Sequence, residues 1–365
     1  MATPGRSAPS PIGWATAERV ATRVAGREPL QDSYHYASLQ PDFDELTAQA
    51  EQLVTETTGL VSAAGAARAR VVDRAGWVTA NVASFQRLLR PVTDRFATRI
   101  SGPAAPVGRA ITGAQVGALL GFMSTRVLGQ YDLLVLEDEH PEDQDIVYYV
   151  GPNVLALEKR YSFPPREFRL WLALHEVTHR AQFTGVPWLR AHYLGLVDEV
   201  LGVADMDARR LLDALRRVVD EVGHGRNPLA DGGLPALLAT PDQRVTFSKL
   251  NGLMSLLEGH GDTTMDRAGA ALIPSAERFG RVLRQRRQQS NPVLKLVLQA
   301  VGFEAKLAQY EAGERFIEAV EAEGGPELLE RVWEQREHLP SQDEVGDPAR
   351  WVTRMRDNQA VAPTL

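Results

Sequence analysis

Leu174-His175-Glu176-Val177-Thr178-His179-Arg180-Ala181-Gln182-Phe183 is the stretch on which the reading of this chain turns. Two histidines four residues apart on a helix lie about one turn apart on the same face, so both imidazoles can reach a single metal ion. Glu176 between them then stands beside the metal, where a carboxylate can take a proton from a bound water. The flanking residues agree with a helix. Ser162-Phe163-Pro164-Pro165 is a plausible entry, because proline is tolerated in the first turn. From Arg166 the apolar residues Phe168, Leu170, Trp171, Leu172 and Leu174 run into the motif, Val177 and Ala181 carry on past it, and Gly185 followed by Pro187 is a stop. The expectation is a mostly buried helix of about five turns with the motif in its second half. Plain core packing could also place two histidines on an apolar helix, but Glu176 would then need a partner of its own.

A catalytic zinc takes three protein ligands and keeps a fourth position for water. The compact pattern, in which a glycine and a third histidine follow closely, fails here, since Gln182 stands in the glycine position and Gly185 in the histidine position. A distant carboxylate is the other solution, and Met254-Ser255-Leu256-Leu257-Glu258-Gly259-His260-Gly261-Asp262 offers one. Glu258 interrupts an apolar stretch from Leu250, where a charge without a partner is costly. Asp262, one turn on, can accept a hydrogen bond from the far nitrogen of a ligating histidine and fix its tautomer. His260 is the alternative ligand; two positions from Glu258, it points roughly to the other side of the helix, so the two exclude each other. Gly252, Gly259 and Gly261 each cost a helix about 1 kcal/mol against alanine, which makes sense where the helix packs closely on another backbone.

His175, Glu176, His179 and Glu258, with Asp262 one turn on, resemble the gluzincin arrangement of thermolysin-like peptidases, although the gap from His179 to Glu258 is much longer. Phe122-Met123-Ser124-Thr125-Arg126-Val127-Leu128-Gly129-Gln130-Tyr131-Asp132, Tyr149-Val150-Gly151-Pro152-Asn153, the stretch quoted first and Glu258-Gly259-His260-Gly261-Asp262 are similar to an actinobacterial family of zincin-like hydrolases. One branch of that family is labelled as associated with biosynthesis of the deazaflavin coenzyme F-420. The resemblance implies a zincin fold and one zinc ion, and supplies no substrate.

The composition suits a soluble enzyme. At 365 residues the chain is long enough for two ordinary domains or one large core with extensions, and 44% hydrophobic residues suffice for a packed core. With no cysteine there is no disulfide, thiolate ligand or cysteine nucleophile. A net charge of −7 gives no hint of nucleic-acid binding. The polar, proline-containing stretch from Met1 to Trp14 lacks the apolar core of a secretory signal, so the expected location is cytoplasmic. Ala110 to Thr125 is mostly apolar, with Gly113, Gly117 and Gly121 at four-residue spacing, but falls short of a membrane span. Its small-residue stripe suits a buried helix that approaches a neighbour closely.

Periodicity predicts helices over 15–25, 42–61, 65–91, 109–127, 188–222, 241–269, 274–288, 292–308 and 312–323. Residues 131–137 and 145–151 read as strands joined by the acidic turn 138–144, a small sheet ahead of the metal helix. The fold class is therefore α+β, predominantly helical and zincin-like. The expected organisation is a flexible tail over 1–14, a helical region over 15–108, a catalytic core over 109–340 and an extension over 341–365. The Gly/Pro-rich loop 223–240 separates the two ligand-bearing parts.

The chemistry this implies is hydrolysis of a peptide or other amide bond. Zinc on His175, His179 and Glu258 lowers the pKa of its water and polarises the carbonyl, and Glu176 moves the proton to the leaving amine. The oxyanion needs a donor, for which His192, Tyr193 and Tyr310 are candidates. Two other readings stand beside a peptidase: a hydrolase of a small amide linked to the coenzyme pathway, and a non-catalytic protein whose zinc only joins two helices.

Overall fold

Ile146-Val147-Tyr148-Tyr149-Val150 is an uninterrupted apolar run, which is what a strand covered on both faces requires. The computed structural model describes residues 10–28, 30, 32–90, 93, 105–133, 145–202, 241–288 and 303–361. The run forms the central strand of a three-stranded sheet, with every residue buried. β1 is Arg68–Val72, β2 Gly129–Tyr131 and β3 Ile146–Val150, in the order β1-β3-β2. β1 is parallel to β3, with Arg68 opposite Ile146 and Val72 opposite Val150, and β2 is antiparallel, with Gln130 opposite Tyr148. The α+β, mainly helical class with a small sheet before the motif helix is what the chain adopts.

Two compact units divide the chain. The first comprises Met1–Glu56, Ser62–Arg180 and Ala271–Ser275. Its elements are α1 (Trp14–Ala25), α2 (Tyr34–Ala37), α3 (Leu39–Thr58), the sheet, α4 (Arg74–Leu88), α5 (Ala105–Ser124), α6 (Gly151–Tyr161) and most of α7 (Pro165–Gly185). α3 covers β3 through Phe43, stacked on Tyr149 at 3.8 Å, and through a 2.8 Å hydrogen bond between Thr47 Oγ1 and the Tyr149 hydroxyl. α1 and α5 meet along the small-residue stripe. A Cβ on Gly113, Gly117 or Gly121 would stand 2.2, 2.3 or 2.5 Å from the carbonyl oxygens of Gly13, Ala17 and Ala21. The stripe thus serves a close helix crossing, and no described helix is long and apolar enough to cross a membrane.

The sheet corrects the helix expected over 65–91. Arg68-Ala69-Arg70-Val71-Val72 is β1, and α4 begins only at Arg74, capped by Asp73, whose carboxylate accepts from the Gly76 N–H at 2.6 Å. The β-branched pair Val71-Val72 favours the strand once β3 offers its edge. Of the strand expected over 131–137, Tyr131 closes β2, which begins at Gly129 and pairs antiparallel with β3. Residues 134–137 and the turn 138–144 lie outside the described residues, as do 203–222, the loop 223–240 and 292–302. α6 follows β3 directly, with Pro152 in its first turn, a helix that periodicity alone does not announce. Asn153 at its start donates to the carbonyls of Ser124 and Val127, both at 2.7 Å, and accepts from Arg74 Nε at 2.8 Å.

The second unit comprises Thr57–Val61, Ala181–Ala270 and Ala276–Leu365. It holds the last turn of α7, then α8 (Leu189–Gly202), α9 (Pro241–Gly269), α10 (Ala276–Gln288), α11 (Phe303–Glu330), two short 3-10 turns, α12 (Gln342–Gly346) and α13 (Pro348–Val361). Leu256, Phe316, Ile317, Val320, Val332, Trp351 and Met355 form its core. α9 and α11 touch backbone to backbone: a Cβ on Gly259 would lie 2.3 Å from the carbonyl carbon of Gly313, and one on Gly313 2.0 Å from the Ser255 oxygen. Gly252 lies equally close to the chain entering α12, 2.3 Å from the Pro340 oxygen on the same test. These contacts explain two of the glycines that propensity disfavours in α9.

Candidate metal centre

α7 owes its position to two arginines on its own turns. Arg169 is buried, pairs with both oxygens of Glu158 at 2.8 and 2.9 Å, and also meets Asp42. Arg180 is buried next to the motif and binds Asp145 in a fork, at 2.7 Å for the shortest bond. It also reaches Glu51 at 2.6 Å and the Gly65 carbonyl at 2.7 Å. Asp145, at φ 55°, takes the left-handed conformation that aspartate tolerates, and accepts from the Tyr131 hydroxyl at 3.1 Å. Two buried guanidiniums thus hold the helix against α3, α6 and the sheet.

Between Arg169 and Arg180 the helix presents the motif. The Nε2 atoms of His175 and His179 stand 3.3 Å apart, with the rings nearly perpendicular at 84°. Two imidazole nitrogens bound to one tetrahedral zinc at the usual bond length stand about 3.3 Å apart. One ligand atom each of His175, His179 and Glu258 lies within 4.8 Å of the others, a group able to hold a metal ion. Two imidazoles and one carboxylate are a donor set that suits zinc and leaves a fourth position. Glu258 is buried on α9, and its charge acts on Tyr193: burial first, then Glu258, raises the Tyr193 phenol, so that side chain keeps its proton.

Glu176 is buried against β2. Its Oε2 accepts the main-chain N–H of Tyr131 at 3.0 Å, and a Cβ on Gly129 would come within 2.7 Å of its Cγ and Oε1. Glycine at 129 is therefore what admits the carboxylate to the strand. Tyr131 faces Val147 in the antiparallel pair, while the neighbouring Asp132 N–H donates to the Ile146 carbonyl. The Tyr131 amide accordingly points away from β3, toward the motif helix.

The remaining candidates are spread more widely. The ring of His260 lies edge-on to Trp333, and its Nδ1 is 3.0 Å from Gln182 Nε2; His260 is not among the grouped ligand atoms. Asp262 is half-buried; with burial first and its charge second, the carboxyls of Asp266 and Glu314 are raised, so it sits in an acidic neighbourhood of α9 and α11. His192 lies edge-on to Trp188, and burial, then Arg336 and Lys249, lowers its pKa, which keeps the ring neutral at pH 7. Tyr193 packs edge-on to Phe183. Tyr310 is on α11, with its side chain outside the described residues.

The profile of the zincin-like metallopeptidase family matches residues 12–352, nearly the whole length. The chain belongs to that family. Among solved structures, this zincin-like chain is similar to a protein from Chloroflexus aurantiacus described as a candidate hydrolase with a novel fold. That likeness has a TM-score of 0.70 and 29% identity, over 94% of this chain and 99% of the other. None of the curated proteins compared with it matches. Family membership implies zinc, and together with the neighbour it supports a zinc hydrolase in general.

Sequence reasoning did not find Gly129, the Tyr131 amide or Gln182. The first two depend on pairing between β2 and β3 and carry no local signal. Gln182 is one polar residue among several on its helix, and its partners, the Leu257 carbonyl and His260, belong to α9.

Proposed function

We propose that the protein is a zinc-dependent amide hydrolase, with peptides as its substrates, in which His175, His179 and Glu258 hold one zinc ion and Glu176 is the general base. The observation that carries this reading is the facing pair of Nε2 atoms, 3.3 Å apart, with a Glu258 ligand atom in the same group. A zinc ion in that place supplies a Lewis acid for the carbonyl and lowers the pKa of water toward neutrality. Glu176 takes the proton from the attacking water and returns it to the leaving amine. Its hydrogen bond from the Tyr131 amide fixes the orientation of the carboxylate. Tyr193, still protonated and within the field of Glu258, is the best supported of the three oxyanion donors. Asp262 orients a ligating histidine.

The test combines metal content and turnover. Elemental mass spectrometry on protein purified without added metal should give one zinc in wild type and His260→Ala, and none in His175→Ala or Glu258→Ala. A peptide library read by mass spectrometry should show cleavage by wild type that a chelator stops and zinc restores. Glu176→Gln should keep its zinc and lose about 100- to 10,000-fold in rate. A well-folded wild type that binds no zinc would sink the proposal, as would a Glu176→Gln variant that cleaves like wild type.

A further inference from the structure

We infer that Gln182 is the positioning residue that fixes the third ligand. It lies three residues after His179 on the same unbroken helix and is wholly buried. Its amide nitrogen is 3.1 Å from the carbonyl oxygen of Leu257 and 3.0 Å from His260 Nδ1. A carbonyl oxygen can only accept, so the atom facing Leu257 must be the NH2 group, and its second hydrogen goes to Nδ1. His260 then carries its proton on Nε2, and the neutral ring has no lone pair left for a metal. Gln182 therefore holds the residue before Glu258 and the residue two after it, from a point one turn beyond His179.

The opposite side of α9 is held just as closely. Gly259 and Gly313 leave no room for a Cβ between α9 and α11, so α9 is backed by main chain along that face. Gln182 and the glycine crossing together set where the Glu258 carboxylate stands. A polar bond in a buried place gives this register a direction that apolar packing alone would leave free to slide. His260, a candidate ligand in the sequence, becomes the acceptor that completes the lock.

The inference rests on the metal-site reading above, and its test reads zinc affinity rather than turnover. Zinc dissociation constants are measured by chelator competition for wild type, Gln182→Leu, His260→Leu, the double variant and Glu258→Ala, alongside circular dichroism and metal-free thermal unfolding. Gln182→Leu should weaken zinc binding about 10- to 100-fold with its helical signal intact, the range seen when the partners behind metal ligands are removed. His260→Leu, which leaves the bond to Leu257, should fall between wild type and Gln182→Leu. The double variant removes both partners and leaves neither without its mate. It should recover metal-free stability while its affinity stays low, which a merely structural role would not produce. Wild-type affinity in a folded Gln182→Leu overturns the inference and leaves the zinc site standing. Affinity that simply follows thermal stability across the set overturns it too. If Gln182→Leu does not fold, the His260→Leu affinity decides: no weakening refutes the lock. A folded wild type without zinc overturns the metal-site reading and this inference with it.

Discussion

Arg180 shows how much one side chain can determine beside a candidate metal ligand. It is buried, at 1% exposure, and answers two carboxylates and a carbonyl. Removing one partner of such a buried set leaves uncompensated charge and costs about 3–5 kcal/mol. Arg180→Met should show that loss in urea unfolding; a change under 1 kcal/mol would mean that Asp145 and Glu51 find water instead. At this scale the sequence was informative about His175, Glu176 and His179, because their relation depends only on helical spacing within one element. Glu258 was legible for another reason: a carboxylate inside an apolar run has to be explained by what it meets. Gln182 was not, because its two partners come from a different helix.

At the scale of elements, glycines decide how closely helices approach. Helix propensity says that Gly259→Ala should stabilise α9 by about 1 kcal/mol. The contact with Gly313 says the opposite, since the new Cβ would meet main-chain atoms at 2.3 Å. Overpacking against backbone costs typically about 1–3 kcal/mol, so the variant should unfold at lower denaturant concentration than wild type. Equal or higher stability would show that the crossing yields. β1 belongs here as well: periodicity read these residues as helix, and pairing with β3 made them a strand. α6 was hidden because the strand before it runs into its first residue without a break.

For the whole molecule, a metal that binds only the native state raises stability by mass action, by about 2.7 kcal/mol at a hundred times its dissociation constant. Zinc added to chelated protein should therefore raise the unfolding temperature of wild type and leave His175→Ala unmoved. A rise of the same size in both would place the effective zinc elsewhere. The sequence by itself determined the class of fold and the motif helix, and it nominated Glu258 as a candidate ligand, because hydrophobic period and helical spacing are local properties. The tertiary structure decided the rest. It made 68–72 a strand, turned the Tyr131 amide toward Glu176, and spent His260 on Gln182. Each of those outcomes depends on which backbone groups and side chains distant segments bring within hydrogen-bond reach, and no local pattern carries that information.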